Sequence, residues 1–409
     1  METAEWTFMI YLAGDNNLSP AADTDLREMR MVGSTPLVNI VAQVDRSEGL
    51  GTTRYRIERE GVDETTEALG VQDSGDPETL VQFIAWAAQK YPARKYALIL
   101  WNHGSGWEPS EMGRVAERVG AENYDGREVV ERSSTPLRRA LFRTTLEKIF
   151  RLPTPMERAI ASDDGSGHSL DTVELGKVLE KAVHLIGQPL ELLGMDACLM
   201  SNFEVAYQVS PYARYLVASE ENEPNSGWPY DEVLRRIIED TSVPTETLAA
   251  HIVRAYIDWY AQEDYEGPVT QTACNLSKVQ EVAAALDKLA GALSASLQTA
   301  AMDMWKAQRN SARFWHNTLW DISHFCEELE KLSADEQIKE AARETIAVLR
   351  PGTDNFIIAE AHSGKRVERC GGSSIYLIPP PLDLSQYYDE LEFARHHSWL
   401  SLLKQYHAL

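Results

Sequence analysis

The chain has 409 residues, more than one hydrophobic core usually supports, and its 44% of hydrophobic residues and ten tryptophans are typical of a globular protein. A formal net charge of −24 at pH 7 argues against a nucleic-acid or anionic-membrane partner, and it suits either basic peptide ligands or simple solubility. The four cysteines have no CxxC spacing, which argues against a disulfide framework and a zinc cluster.

The N-terminal segment lacks a basic region followed by a long apolar region, so the sequence shows no signal peptide. The longest apolar runs are shorter than a membrane-spanning helix, and we expect no membrane insertion. A chain from which an export signal had been removed would look the same. The sequence is therefore compatible with both a cytoplasmic and an exported protein.

Short apolar runs alternate with helical patterns through the first half of the chain. The runs predict strands at residues 6–13, 36–45, 54–58, 96–101, 189–195 and 213–219. A helix is predicted after Asp76, which is a good cap followed by Pro77 in the first turn, and others over 168–186 and 199–209. Continuously apolar strands that alternate with helices indicate a mostly parallel sheet covered on both faces.

The second half of the chain is richer in helical patterns. Helices are predicted at 277–297, 317–332 and 334–349, and strands at 269–276, 355–364 and 371–381. Within the first half of the chain, residues 108–158 form a long polar segment that is rich in arginine and lysine. A connection of this length is usually functional or flexible.

Two of the apolar strands are followed by residues whose side chains are typical of catalytic sites. The strand at 96–101 is followed by Asn102, His103 and Gly104, and the strand at 189–195 is followed by Asp196 and Cys198. Ligand sites in open parallel sheets lie outside the carboxyl ends of the strands. If these two strands are neighbours, His103 and Cys198 face each other across one crevice.

A histidine beside a cysteine can act as the base that activates a thiol nucleophile. The N–H groups of Gly104 and Cys198 could then form an oxyanion hole. We also expect Cys198 to open the helix over 199–209, whose dipole would favour a thiolate. The alternative from spacing alone is a buried structural cysteine and an unrelated histidine.

Several longer motifs narrow these alternatives. The chain carries, in this order, YLAGDNNL, LILWNHGSGW, ELLGMDACLMSNFEVAYQV, YLVASEENEPNSGWPYDEVL, SSIYLIPPP and YDELEFARHHSWLSLL. Together they resemble the clostripain family of cysteine peptidases, a branch of the caspase-like clan, and the NHG and DAC elements are the most specific.

The resemblance implies a fold of the α/β class, a caspase-like three-layer sandwich with a mostly parallel central sheet. It places a catalytic domain at residues 1–240, with the charged insertion 108–158, and a helical and mixed C-terminal region packed on it at residues 241–409. The implied activity is that of an endopeptidase that cleaves protein or peptide substrates after arginine or lysine through a His103–Cys198 dyad.

Asp196 stands where the family places an acidic residue of the primary specificity pocket, and a carboxylate there would pair with a basic side chain. The alternative for Asp196 is an ordinary helix N-cap. The segment 219–228 matches another wall of the pocket, and Glu221 and Ser226 are our candidate substrate-binding residues in it. This segment lacks the acidic residue that members often carry within a PG-x-GW stretch. The three glutamates of SEENE, Glu220, Glu221 and Glu223, either compensate or are simply solvated.

The resemblance also implies activation by self-cleavage between the histidine and cysteine segments, with Lys148 and Arg151 in the insertion as candidate sites. The chemistry requires no metal, although calcium could support the loops of so acidic a protein. We expect His396 and His397 to be surface residues, and Cys274, Cys326 and Cys370 to be inert core thiols. The other hypotheses are a caspase-like regulatory module without turnover, and a thiol amidase or transpeptidase that uses the same dyad.

Overall fold

The structure is a computed structural model of the chain. It describes residues 3–16, 18–47, 50–60, 65–102, 104, 106–107, 170–314, 318–380, 382–385 and 387–409. Its strands are β1 Ala4–Gly14, β2 Val38–Arg46, β3 Thr52–Arg56, β4 Thr65–Gly70, β5 Ala93–Trp101, β6 Leu190–Asp196, β7 Ala213–Ala218, β8 Val269–Asn275, β9 Arg313–Phe314, β10 Leu319–Asp321, β11 Ile357–Ser363 and β12 Ser374–Tyr376.

The α-helices of the described residues are α1 Ser19–Val32, α2 Pro77–Lys90, α3 Thr172–Ile186, α4 Phe203–Val209, α5 Tyr230–Glu239, α6 Thr245–Gln262, α7 Val279–Ala295, α8 Leu297–Asn310, α9 Ile322–Leu332, α10 Glu336–Leu349, α11 Glu392–His396 and α12 Trp399–His407. Asp76 caps α2 as predicted, since its side chain accepts a hydrogen bond from the N–H of Glu78 at 2.8 Å. The predicted insertion 108–158 lies outside the described residues.

Nine strands form one central sheet in the order β11-β8-β7-β6-β5-β1-β2-β3-β4. The five strands from β7 to β2 run parallel to their neighbours, and the pairs nearer both edges are antiparallel. A separate three-stranded antiparallel sheet has the order β12-β10-β9. The predicted mostly parallel sheet is therefore confirmed.

Helices cover both faces of the central sheet because its strands are apolar on both sides. In β1, Phe8 and Ile10 belong to the core under α1, α5 and α6, while Met9 and Tyr11 belong to the opposite core under α2, α3, α4 and α7. The result is the three-layer arrangement that the sequence predicted.

The boundary predicted at residue 240 lies between α5 and α6. The central sheet nevertheless takes β8 and β11 from the C-terminal side of that boundary, and β8 pairs directly with β7. The two regions therefore share one sheet. No helix of the described residues is long and apolar enough to cross a membrane.

Two predicted helices were placed wrongly. The helix expected over 199–209 begins only at Phe203, because Leu199 has a φ of 65° and Asn202 caps α4 by accepting the N–H of Val205. The helix expected over 317–332 begins at Ile322, after the strand β10. There Asp321 supplies the cap, and the preceding residues pair with β9 and β12 instead of extending the helix.

Candidate active site

The carboxyl ends of β5 and β6, which lead to the candidate catalytic residues, lie side by side. β5 and β6 are parallel neighbours with Trp101 opposite Asp196, and the N–H of Asn102 donates to the carbonyl oxygen of Asp196 at 3.3 Å. The crevice predicted between these two strand ends is therefore present, at the carboxyl ends of the central strands. His103 lies outside the described residues.

Gly104 lies against the backbone of Cys198. A Cβ atom on Gly104 would lie 2.0 Å from the carbonyl oxygen and 2.7 Å from the nitrogen of Cys198. No side chain fits in that space, so glycine is required for the close approach of the two segments. Both N–H groups that we predicted for the oxyanion hole come from these adjoining residues, and that role stays a prediction.

Cys198 lies in the loop between β6 and α4, and its side chain is half-buried. The N–H of Glu223 donates to its Sγ at 3.3 Å, and the N–H of Gly104 also donates to it. Burial raises the pKa of Cys198, these two donors lower it, and the charge of Glu221 raises it. The thiol is thus held by main-chain groups from both adjacent loops.

The expectation that Cys198 opens a helix was wrong. Asn202 is the N-cap of α4, so Cys198 precedes the helix by a loop and gains no place in its first turn. The backbone donors of Gly104 and Glu223 take the part that we had assigned to the helix dipole. The alternative of Asp196 as a helix N-cap is excluded for the same reason.

Asp196 is buried near Cys198, and its carboxylate accepts several hydrogen bonds. Its carboxylate accepts hydrogen bonds from the N–H of Trp228 at 3.2 Å and from the hydroxyl of Tyr230 at 2.9 Å. It also accepts a side-chain hydrogen bond from Glu223. Burial raises the pKa of Asp196 to about 6 despite these donors.

Glu223 and Asp196 form a carboxyl pair. Burial and the charge of Asp196 raise the pKa of Glu223 well above its usual range, so a proton that the pair shares is held by Glu223 in preference to Asp196. Glu223 Oε1 accepts from Trp228 Nε1 at 3.4 Å and from Gln271 Nε2 at 3.2 Å. Of the three SEENE glutamates, Glu223 is the one whose side chain joins the pocket.

A small cleft opens beside the thiol. Its walls come from the ends of β5 and β6 and from the loop that follows β7. The residues that line it are Leu18, Trp101, Asn102, Asp196, Ala197, Cys198, Glu223, Pro224, Asn225 and Gly227. One nucleophile and one pair of carboxyl groups therefore share a single small cleft.

The other predicted pocket residues have different positions. Glu221 is 1% exposed, forms an ion pair with Arg366, and does not line the cleft. Ser226 is exposed in the turn beside Gly227. Glu220 is buried, where its Oε2 accepts the N–H of Gly372 at 3.0 Å. The assignment of Glu221 and Ser226 as substrate-binding residues stays a prediction.

A second layer of acids lies behind the pocket on α1. Asp25 accepts a hydrogen bond from the Trp101 side chain, and burial together with the charges of Asp196 and Glu28 raises the pKa of Asp25 well above its usual range. Glu28 accepts the N–H of Tyr230 at 3.0 Å, and burial raises the pKa of Glu28 to about 7. Neither residue was predicted for the site, because acidic residues on the apolar side of a helix are their only signal in the sequence.

Outside the cleft, the prediction for His397 was wrong. His397 is not a surface residue, since its Nδ1 lies 2.6 Å from Asp287 Oδ2 and its Nε2 lies 3.0 Å from the Tyr207 hydroxyl. His396 is exposed as expected. Cys274, Cys326 and Cys370 are buried, and burial raises the pKa of each, as expected for core thiols.

Within the part of the chain that the structure describes, no group of three or more histidine, cysteine or acidic side chains is arranged to hold a metal ion. In the cleft, Asp196 Oδ2 accepts hydrogen bonds from an N–H and an O–H group, and Glu223 Oε1 accepts from Trp228 Nε1.

Comparison with known proteins places this cleft in context. The model of the clostripain family matches residues 10–141 and 151–406. Clostripain from Hathewaya histolytica is 29% identical over 262 residues, which are 56% of this chain and 42% of that protein. The chain thus matches less than half of the length of this curated relative.

Solved structures share the fold. The chain is similar to a secreted C11 cysteine protease from Bacteroides thetaiotaomicron in complex with an irreversible peptide inhibitor, with a TM-score of 0.67, 21% identity, and coverage of 97% of this chain and 100% of the other. It is similar to an inactive zymogen C11 protease from Parabacteroides distasonis, with a TM-score of 0.64, 20% identity, and coverage of 97% and 98%.

Proposed function

Because the chain belongs to the clostripain family, we propose that it is a cysteine endopeptidase that cleaves protein or peptide substrates after arginine or lysine. The observation that carries this proposal is the shared cleft. Cys198 is the one cysteine of the four that is not fully buried, and it lines the same small cleft as the buried carboxyl pair of Asp196 and Glu223.

In the proposed reaction, Cys198 Sγ attacks the carbonyl carbon of the substrate and His103 takes the thiol proton. The N–H groups of Gly104 and Cys198 hold the negative oxygen of the tetrahedral intermediate. The C–N bond then breaks as the proton passes to the leaving amine, and water hydrolyses the thioester in a second round. The part of His103 follows from its place in the NHG motif alone.

The carboxyl pair accounts for the proposed specificity. Asp196 and Glu223 together carry one negative charge when they share a proton, and both carboxyl groups are buried. A guanidinium or ammonium group that enters the cleft would pair with that charge through charge-assisted hydrogen bonds. An apolar side chain would leave the carboxyl groups without a new partner. Glu223 would thus supply the acid that the stretch 224–228 lacks.

The test uses fluorogenic peptides that end in Arg, Lys, Asp or Leu before the reporter, with the native protein and Cys198→Ala. We expect turnover of the Arg and Lys peptides by the native protein alone. Equal turnover of the Leu peptide would contradict the basic specificity. No turnover of any peptide would contradict the peptidase and favour the regulatory module, and ligated product with an added amine would favour a transpeptidase.

Self-cleavage within 108–158 is a further part of this proposal, with Lys148 and Arg151 as candidate sites outside the described residues. One structural neighbour is described as an inactive zymogen. A gel of the native protein and Cys198→Ala tests it, since fragments are expected only from the native form. Calcium support of the loops stays an expectation, and peptide turnover with and without a calcium chelator tests it.

A further inference from the structure

The residue that follows Cys198 adopts a backbone conformation that side chains disfavour. Leu199 has a φ of 65°, and among the described residues other than glycine it shares a positive φ only with Asp264. An L-residue is strained in this region because its Cβ approaches the following carbonyl oxygen. A buried leucine keeps this conformation only where its surroundings hold it there. The chain therefore makes a constrained turn directly after the candidate nucleophile.

Two hydrogen bonds hold this turn, one on each side of Leu199. Its N–H donates to the carbonyl oxygen of Glu221 at 3.2 Å, and its carbonyl oxygen accepts from Asn202 Nδ2 at 2.9 Å. Asn202 is fully buried, and its Oδ1 accepts the N–H of Val205 at 2.9 Å. The cap of α4 needs only this oxygen. The amide nitrogen therefore has a second task, which is to hold the carbonyl group of Leu199.

The turn determines where the main chain of Cys198 lies. The Cys198 carbonyl oxygen belongs to the peptide group that precedes the φ rotation of Leu199, and it would lie 2.0 Å from a Cβ atom on Gly104. A rotation at Leu199 would change this close approach, and with it the donation of the Gly104 N–H to Sγ. A Cβ on Gly106 would lie 3.4 Å from the Leu199 carbonyl oxygen and 3.6 Å from Asn202 Nδ2. Asn202 thus lies where the loop after β5 meets the loop after β6.

We propose that Asn202 is a positioning residue for Cys198, because its amide nitrogen holds Leu199 in the left-handed turn that keeps Cys198 against Gly104. This inference rests on the proposed function, in which Cys198 is the nucleophile and the N–H groups of Gly104 and Cys198 hold the negative oxygen. Asn202 is buried and does not line the cleft. It acts through Leu199 and does not touch the substrate.

Asn202→Ser separates the two tasks of the side chain. Serine caps a helix about as well as asparagine does, but its shorter side chain lacks the amide nitrogen. Asn202→Ala removes the cap and the donor together. The control is Asn275→Ser, since Asn275 caps the short helix Leu276–Lys278 by accepting the N–H of Ser277 at 3.1 Å. Because β8 runs antiparallel to β7, Asn275 lies at the end of the sheet opposite to the cleft.

The first measurement is steady-state kinetics with an Arg or Lys peptide. In Asn202→Ser and in Asn202→Ala we expect kcat to fall equally, by at least about tenfold, because the reacting group is displaced. KM should change by less than about twofold, since the hydrogen bonds of Asp196 to Trp228 and Tyr230 are untouched. Asn275→Ser should keep both constants. A native kcat in Asn202→Ser, with a loss only in Asn202→Ala, would overturn the proposal and leave Asn202 as a helix cap.

The second measurement is the rate of iodoacetamide alkylation at neutral pH, resolved by mass spectrometry for each cysteine. In Asn202→Ser the rate at Cys198 should fall about tenfold, because its thiolate loses the N–H donors of Gly104 and Glu223. The other three cysteines are buried and report on the integrity of the fold: Cys274, Cys326 and Cys370. They should stay as protected as in the native protein. Faster labelling of these three with an unchanged rate at Cys198 would mean general loosening and would overturn the proposal.

The labelling does not depend on peptide hydrolysis, so the two proposals can fail separately. Slower labelling of Cys198 in Asn202→Ser, without hydrolysis by the native protein, supports the part of Asn202 and contradicts the peptidase. Hydrolysis with the same kcat in the native protein and in Asn202→Ser contradicts the part of Asn202 and leaves the peptidase intact.

Discussion

Asn16 and Asn102 join the carboxyl ends of β1 and β5, with 3.2 Å between Asn16 Nδ2 and Asn102 Oδ1. Both side chains also donate to the carbonyl oxygen of Ala13, at 3.0 and 2.7 Å. Asn102 directly precedes His103, the proposed base, in the chain. The pair of asparagines therefore fixes the end of the strand that leads to His103.

We therefore expect Asn16→Ala to lower kcat about tenfold with little change in KM, because small displacements of a reacting group are costly. The loss of buried hydrogen bonds should also lower the free energy of unfolding by about 1–3 kcal/mol. Steady-state kinetics and chemical denaturation measure the two effects. Asn39→Ala is the control, since Asn39 is a buried residue of β2 that donates to Thr7 Oγ1 at 3.2 Å. It should lose stability and keep kcat, and an equal loss of kcat would contradict the argument.

Gly104→Ala should abolish most of the activity. The added methyl group would lie 2.0 Å from the Cys198 carbonyl oxygen, so one of the two segments must move. We expect kcat/KM to fall at least about a hundredfold in the peptide assay. Gly291→Ala in α7 is the control, because nothing lies within 4 Å of its added methyl and alanine favours a helix by about 1 kcal/mol. Near-native activity in Gly104→Ala would refute the close approach.

The carboxyl pair predicts graded effects on specificity. Asp196→Asn should lower kcat/KM for an Arg peptide about a hundredfold, since it removes the charge that pairs with the substrate. Glu223→Gln should have a smaller effect, because a proton that the pair shares is held by Glu223 in preference to Asp196. A Leu peptide, if cleaved at all, should be affected far less by either change. Similar losses for both peptides would mean that the pair supports the fold and not the specificity.

The same pair predicts a pH dependence of substrate binding. The pKa of Asp196 is raised to about 6, so the carboxylate is increasingly protonated below that pH. KM for an Arg peptide should rise as the pH falls through 6, while KM for a Leu peptide stays flat. Steady-state kinetics from pH 5 to 8 would measure this, and parallel profiles for the two peptides would exclude Asp196 as the titrating group.

Glu204 predicts a pH dependence of stability. It is buried in α4, where its Oε1 accepts the N–H of Tyr376 at 2.9 Å and the hydroxyl of Tyr388 at 2.8 Å, and burial raises its pKa to about 7. The folded state then binds a proton that the unfolded state releases above its ordinary pKa. The stabilisation is complete below that ordinary pKa and is lost as the pH rises through about 7.

Glu204→Gln should remove this loss, because glutamine resembles the protonated acid at every pH. Between pH 4 and 8 the native protein should lose about 3 kcal/mol more of its unfolding free energy than Glu204→Gln does. Urea denaturation at several pH values measures the difference. Identical pH slopes in the two proteins would show that Glu204 does not titrate as the buried site requires.

Most strands of the central sheet could be predicted because apolar runs are local signals. The meeting of the ends of β5 and β6 was expected only from the general rule for open parallel sheets and from the family resemblance. The start of α4 could not, since the apolar pattern continues through Leu199 and only the conformation of the loop reveals that Asn202 is the cap. The sequence alone does not distinguish the roles of the three glutamates in SEENE. They differ because Glu220 meets Gly372, Glu221 meets Arg366 and Glu223 meets Asp196, and two of these partners come from the distant C-terminal half.

The sharing of one sheet across residue 240 has a practical consequence for shortening the protein. A truncated chain that ended there would lose β8 and β11 and leave β7 as an uncovered edge strand. Unpaired apolar edge strands recruit other chains and lead to aggregation. Such a fragment would also lack the partners of Glu220 and Glu221. A minimal soluble version should therefore be sought by removing surface helices and not by cutting at the apparent domain boundary.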